Sequence, residues 1–240
     1  MGTSSSRTGE NAPRGVRWTP AKANVTSFTK GTGKSVAEAV GGFVSAIGGP
    51  RAASRRPLSS SIGVGQGLGA FLSAVAARGV DEALRSEGLG DLVGRTPGEV
   101  LSGIVDHIAG PGALLDDAIA RNAVIEVLSE IFDESQDSYA DLADGWREQL
   151  GVESIVALMS LFIAHSIFQL FLSYLGDRIE SNALSAAEAA RQEQRVLEFV
   201  REWVSFQLGE VDPLSFDWRG PDGRELVQRA LEVALAQLGG

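Results

Sequence analysis

The sequence predicts an all-α protein, a helical bundle of about seven helices preceded by an extended or disordered basic N-terminal arm. Apolar residues recur at three- and four-residue spacing, and no alternating run of β-branched residues indicates a strand. Hydrophobic residues make up 44% of the 240, enough for a buried core. We expect the arm over 1–34 and a helical domain over 35–240, with glycine-rich short helices over 35–112 and longer packed helices over 113–240.

The arm is predicted from its composition, because residues 1–34 are rich in Ser, Thr, Gly and Pro and show no sustained period. Helical spacing begins with Ser35–Ile47 and returns in Leu68–Ala77, which Gly79 is expected to end. The run Thr96–Glu99 then has the spacing of a capping box with proline at the first helical position. We expect it to open a helix that continues to Ile108.

Longer helical patterns fill the second half of the chain. Leu114–Phe132 places its apolar residues on one face, and Gln194–Leu208 does the same with charges on the opposite face. Asp222 has the position of an N-terminal cap for a last helix that runs to Leu238.

The 23 residues from Ser154 to Gly176 carry no charge and are long enough to cross a bilayer. A polar stripe that includes His165 runs along the second half of this segment, and arginine is not enriched on either flank. We therefore favour a buried central helix, with His165 as a core histidine that is hydrogen-bonded within its own stripe. The alternative is a membrane-associated effector that uses 154–176 as a span.

Charge divides the chain into two parts. Residues 1–60 carry nine basic and two acidic side chains, whereas residues 61–240 carry a net charge of −17. This asymmetry predicts a basic segment that meets an anionic or acidic partner, or that docks on its own acidic body. A nucleic-acid-binding adaptor is a further alternative, although few aromatic residues accompany the basic ones.

Composition gives no support for an enzyme, a metal site or a cofactor. The chain has no cysteine and only two histidines, which excludes thiolate metal sites and cysteine nucleophiles. The run Gly31–Ser35 resembles the end of a phosphate-binding loop, but Phe28 stands where that motif requires glycine. Asp117 and Arg121 have the spacing of an ion pair on a helix surface.

The N-terminus is polar and lacks the apolar stretch of a secretory signal, so we expect a cytoplasmic location. Gly2 follows the initiator Met1 directly, and its small size favours removal of that methionine. A free α-amine on a residue without a side chain would then be accessible for modification.

Five stretches of the sequence resemble the QatB family, the accessory proteins of the bacterial Qat antiphage defence systems. They run in the family's order through roughly the first 180 residues, and none of them is a catalytic signature. The stretches are Met1–Ser6, Gly48–Arg56, Leu68–Val80, Leu115–Ala123 and Ile163–His165. The low-complexity arm departs from the pattern, since it lacks a proline-rich block.

This resemblance implies a non-enzymatic component of an antiphage complex. Its partners would be a QueC-like enzyme and, within the same system, an ATPase and a TatD-like nuclease. It further implies that Gly2 is a modification site, because related QueC-like enzymes join a deazaguanine base to an N-terminal glycine. For docking to the partner, we expect the basic residues Arg51, Arg55 and Arg56 to make the contact.

Overall fold

The computed structural model describes residues 16–132, 137–207 and 211–240, and these ranges contain eleven α-helices and no strand. The predicted all-α class is confirmed, with more helices than the seven expected. The helices are α1 (Trp18–Thr29), α2 (Val36–Ala46), α3 (Pro50–Arg55), α4 (Ser59–Arg78), α5 (Val80–Ser86), α6 (Pro97–Ala109), α7 (Leu115–Ile131), α8 (Tyr139–Gln149), α9 (Val152–Asn182), α10 (Ala186–Trp203) and α11 (Pro221–Gly239).

Capping boxes open α2 and α6, as local sequence rules require. The Ser35 hydroxyl accepts the backbone N–H of Glu38, whose carboxylate accepts the N–H of Ser35 in return. Lys34 pairs with the same carboxylate at 2.5 Å, so the glycine-rich run leads directly into α2. Thr96 and Glu99 repeat the reciprocal arrangement at the start of α6.

Helix α1 corrects the prediction that residues 1–34 are extended. Ala21, Val25 and Phe28 are buried at helical spacing on one face of α1, which packs against α2 and α9. The amide of Asn24 donates to the backbone carbonyl of Glu38 at 3.0 Å and joins α1 to α2. These three buried apolar residues are interspersed with Thr, Ser and Asn, so their spacing was too weak a pattern to predict a helix. Packing against other helices supplies the stability that the helix propensity of this segment lacks. Residues 1–15 lie outside the described part of the chain.

Helix α4 begins nine residues before the predicted Leu68 and ends at Gly79, as expected. Glycines interrupt the apolar pattern before Leu68, which is why the start of the helix was predicted too late. Packing explains why glycine occupies two positions of this helix. A Cβ on Gly65 would lie 2.9 Å from Phe162, and one on Gly69 would lie 2.3 Å from Trp218. Close approach of α9 and of the segment before α11 therefore favours glycine within this helix.

Besides α1, three further helices escaped prediction: α3, α5 and α8. Each is short and buries few apolar residues; α8 buries only Leu142 and Trp146. A local signal for α8 did exist, since Ser138 and Asp141 form a capping box at its start.

Helix α9 forms the centre of the bundle and contacts α1, α4, α7, α10 and α11. Eighteen of its 31 residues are buried, and 17 of these lie in the uncharged segment of 23 residues. The helix continues to Asn182, beyond the predicted Gly176, because Ile179 is still buried against the bundle.

The last two helices differ from prediction at their ends. Helix α10 stops at Trp203, and beyond it Val204 and Phe206 are buried while the residues between and after them are exposed. This period of two marks extended backbone, and the N–H of Phe206 donates to the Ser160 hydroxyl at 2.9 Å. For α11 the predicted cap at Asp222 is wrong: Gly220 is the N-cap, and proline occupies the first helical position.

Candidate partner-binding surface

The three arginines predicted to contact a partner lie on α3 and at its C-terminal end. Gly48 and Gly49 adopt positive φ angles of 94° and 82°, which permits the sharp turn from α2 into α3. Arg51, Arg55 and Arg56 are exposed, while the side chains on the opposite face of α3 are buried. The short helix therefore presents its charges outward.

Ser54 fixes α3 to the last helix of the chain. Its hydroxyl, in a residue only 2% exposed, donates to the Glu232 carboxylate at 2.6 Å. This hydrogen bond, a second from Gln228, and the positive charges of Arg51 and Arg55 lower the pKa of Glu232 below its usual range. Glu232 is thus an anchor for α3 and a neighbouring negative charge for two of its arginines.

Apart from the electrostatic interaction of Arg51 and Arg55 with Glu232, the three arginines are available to bind another molecule. The guanidinium groups of Arg51, Arg55 and Arg56 form no ion pair or hydrogen bond within the described part of the chain. Arg17 is equally exposed and lies against the same turn, since a Cβ on Gly48 would be 3.8 Å from its Nη1. We call Arg17, Arg51, Arg55 and Arg56 the arginine surface.

A groove of about 720 Å³ adjoins this surface, and we call it the Trp18 groove. Residues of α1, α2, α7 and α9 line it, together with the turn between α3 and α4. They include Trp18, Ile47, Arg56, Leu114, Leu115, Asp116 and Tyr174. Arg56 belongs both to the arginine surface and to the groove, so the two form one continuous face. Sequence patterns do not indicate the groove, because its lining comes from five separate segments.

The N-terminal segment joins the body at this same face. Val16, the first described residue, is 91% exposed and lies two residues before Trp18 of the groove. Gly2, the predicted modification site, lies outside the described residues. Gly2 lies fourteen positions before Val16, and a fully extended chain over that distance spans at most about 50 Å.

The predicted ion pair between Asp117 and Arg121 does not form. Arg121 instead donates to Asp106 at 2.6 Å and to the carbonyl of Gly110 at 2.5 Å, which joins α7 to the end of α6. The Asp117 carboxylate accepts the Ser60 hydroxyl at 2.7 Å and faces α4. Helical spacing made the pair possible, but partners on neighbouring helices hold both side chains.

A second charged cluster joins three elements around Glu87. Its carboxylate lies 3.0 Å from Nε2 of His107 and 2.5 Å from Nη2 of Arg219. The Glu87 side chain is 13% exposed, so its two partners hold a partly buried charge. The cluster attaches the segment before α11 to α5 and α6, which is a structural role.

His165 is buried as predicted, at 5% exposure, but the expected hydrogen bond within its stripe is absent. Its Nδ1 has no partner among the described residues. Burial, with a smaller effect of Arg201, lowers its pKa from 6.5 to about 4. The Ser173 hydroxyl of the same stripe donates to its own helix, to the carbonyl of Leu170.

Two helices, Ser59–Arg78 and Val152–Asn182, are long and apolar enough to cross a membrane. In the second, 78% of the most apolar window is buried inside the protein, and in the first 56% is. Core helices of bundles share this length and composition. The burial favours the central-helix interpretation of 154–176 over a membrane span.

The described residues contain no group of three or more His, Asp or Glu side chains that could hold a metal ion. Fold and surface together define an all-helical protein with an arginine surface beside a groove that is lined by aromatic, aliphatic and charged side chains. The comparison with protein families is specific: the Qat anti-phage system associated protein QatB matches residues 48–238. The chain therefore belongs to the QatB family, as the resemblance indicated. No curated protein and no solved structure matches it significantly.

Proposed function

We propose that this chain is a non-enzymatic, cytoplasmic component of a Qat antiphage complex that docks a protein partner through its arginine surface. One observation carries the proposal: four exposed arginines that have no ion-pair partner among residues 16–132, 137–207 and 211–240 lie on one face, next to the point where the N-terminal segment joins the body. Unpaired surface arginines suit an acidic partner, because guanidinium groups bind carboxylates in a bidentate manner.

The partner we propose is the QueC-like enzyme of the system, with Gly2 as the residue that it modifies. An enzyme docked on the arginine surface would have Gly2 within the reach of the chain before Val16. The α-amine of an N-terminal residue has an ordinary pKa near 8, so an appreciable neutral, nucleophilic fraction exists at pH 7. The ATPase and the TatD-like nuclease are further partners that this assembly would include.

Intact mass spectrometry tests the modification. The protein is purified alone and after co-expression with the QueC-like enzyme, and a discrete mass increase that maps to Gly2 is expected only after co-expression. A Gly2→Ala variant, which keeps methionine removal, is the matched control for the residue itself. Unmodified N-termini in a stably co-purified complex would refute modification and leave a scaffold.

Charge reversal tests the docking surface. The triple variant Arg51→Glu, Arg55→Glu, Arg56→Glu should weaken binding to the QueC-like enzyme at least about tenfold at low salt. Its control is the reversal of Arg85, Arg147 and Arg191, which are exposed on three other helices and change the net charge equally. Equal binding of the two triple variants would refute docking through the arginine surface.

A further inference from the structure

The Trp18 groove contains aromatic side chains that are already packed against one another. Trp18 stacks on Tyr174 with ring centroids 5.1 Å apart, and Phe43 meets Trp18 edge-on at 6.4 Å. These contacts hold the indole in place before anything binds. Trp, Tyr and Arg dominate the residues that carry binding energy in protein interfaces, and the groove contains all three types.

An exposed leucine forms one wall of the groove. Leu114, the residue before α7, is 65% exposed. It lines the groove together with the half-buried Leu115. Hydrophobic side chains so exposed beside a concave surface favour contact with another molecule.

The charges of the groove favour a polypeptide as its occupant. Arg56 has no counter-ion among the described residues, so an incoming carboxylate would neutralise it. Asp116, which accepts the Ser59 and Ser60 hydroxyls at 3.1 Å, places a negative charge in the same lining. A DNA backbone presents only acceptors, whereas a polypeptide has both N–H donors, which Asp116 can accept, and carboxylates, which Arg56 can bind.

We propose that the Trp18 groove receives a segment of the docked partner protein that carries an aromatic or aliphatic side chain beside a carboxylate. The apolar side chain would lie against Trp18 and Leu114, and the carboxylate would pair with Arg56. This inference rests on the proposed function, because it takes the protein docked on the arginine surface as the owner of the segment. Because the lining is already held by aromatic packing, little ordering would oppose binding.

A leucine-to-serine substitution tests the groove without weakening the fold. Leu114 is the N-cap of α7, and serine is a favoured N-cap residue, so Leu114→Ser should preserve or increase the stability of the helix. The matched control is Leu184→Ser, since Leu184 is 99% exposed in the connection between α9 and α10. Affinity for the purified QueC-like enzyme is measured by calorimetry at low and at high salt.

We expect Leu114→Ser to weaken binding about tenfold at both salt concentrations, because it removes apolar contact area rather than charge. The control should bind as the native protein does. The affinity difference between the triple arginine variant and the native protein should be much smaller at high salt, because screening weakens the contribution of charge to binding.

The outcomes separate the two proposals. Native affinity of Leu114→Ser together with weakened binding of the arginine variant would overturn the groove proposal and leave docking through the arginine surface intact. Native affinity of both variants would overturn both proposals, as would failure of the native protein to bind the enzyme. If Leu114→Ser binds the partner with native affinity but no longer self-associates in light scattering as the native protein does, the groove binds a second copy of the chain and the proposal is overturned.

Discussion

Two glycine-to-alanine substitutions in α4 should change stability in opposite directions. A Cβ on Gly69 would lie 2.3, 2.5 and 2.6 Å from three ring carbons of Trp218. The indole is 2% exposed and cannot easily move, because its Nε1 donates to the Ser73 hydroxyl at 2.8 Å and to the carbonyl of Pro213 at 3.0 Å. On Gly63 of the same helix, an added Cβ would meet nothing within 4 Å.

The magnitudes follow from these contacts. Alanine is favoured over glycine inside a helix by about 1 kcal/mol, so Gly63→Ala should raise the free energy of unfolding by about that amount. In Gly69→Ala, overpacking costs about 1–3 kcal/mol and an indole N–H pushed off its partners costs a similar amount. We expect a net loss of about 2–3 kcal/mol once the helix preference is subtracted.

Thermal and urea unfolding followed by circular dichroism measure both variants. For a chain of this size, 1 kcal/mol corresponds to about 2–4 °C in Tm. The Tm of Gly63→Ala should therefore rise by about 3 °C, whereas that of Gly69→Ala should fall by several degrees. A Gly69→Ala variant as stable as Gly63→Ala would refute the packing of Trp218 on α4.

Three further substitutions test buried and partly buried polar groups. Because burial lowers the pKa of His165 to about 4, the unfolded chain binds a proton that the folded state resists, so stability is present above pH 6.5 and is lost as the pH falls. When the pH falls from 7.5 to 5, the free energy of unfolding measured in urea should decrease by about 2 kcal/mol less in His165→Gln than in the native protein. An equal decrease in both proteins would contradict this prediction. Glu87→Gln should speed tryptic cleavage after Arg219, whose 2.5 Å ion pair it weakens; unchanged cleavage would mean that the pair does not hold this segment. Ser54→Ala should raise the pKa of Glu232 in an NMR titration and lower the free energy of unfolding by about 1 kcal/mol, and an unaltered titration would disprove the hydrogen bond.

Local rules accounted for the helices that could be predicted from sequence. The capping box predicted at Thr96 needs only residues three apart, and α6 begins there. The apolar pattern predicted from Ser35 is also local, and Ser35 is the N-cap of α2. The buried interpretation of 154–176 also needed only the pattern within that segment. Helix α1 was missed because three buried residues stabilise it only through contacts with α2 and α9, which no local pattern shows.

The candidate site was predictable only in part. The charge asymmetry and the family resemblance led to Arg51, Arg55 and Arg56, and the structure places these side chains outside the bundle. Arg17 and the Trp18 groove depend on how α1, α2, α7 and α9 pack together, which sequence spacing does not show. The ion pair expected between neighbours on α7 failed for the same reason, since partners on other helices hold both side chains.

The hydrogen bond between Ser54 and Glu232 joins residues 178 positions apart. The arginine surface can therefore form completely only after the C-terminal helix has been synthesised. A ribosome releases α3 long before α11, so a nascent or truncated chain without α11 carries the arginines on a helix that lacks its anchor. Six residues seldom hold a helix on their own. The proposed partner recognition through this face would therefore require translation beyond residue 232, and prematurely ended copies would be poor competitors for the same partner.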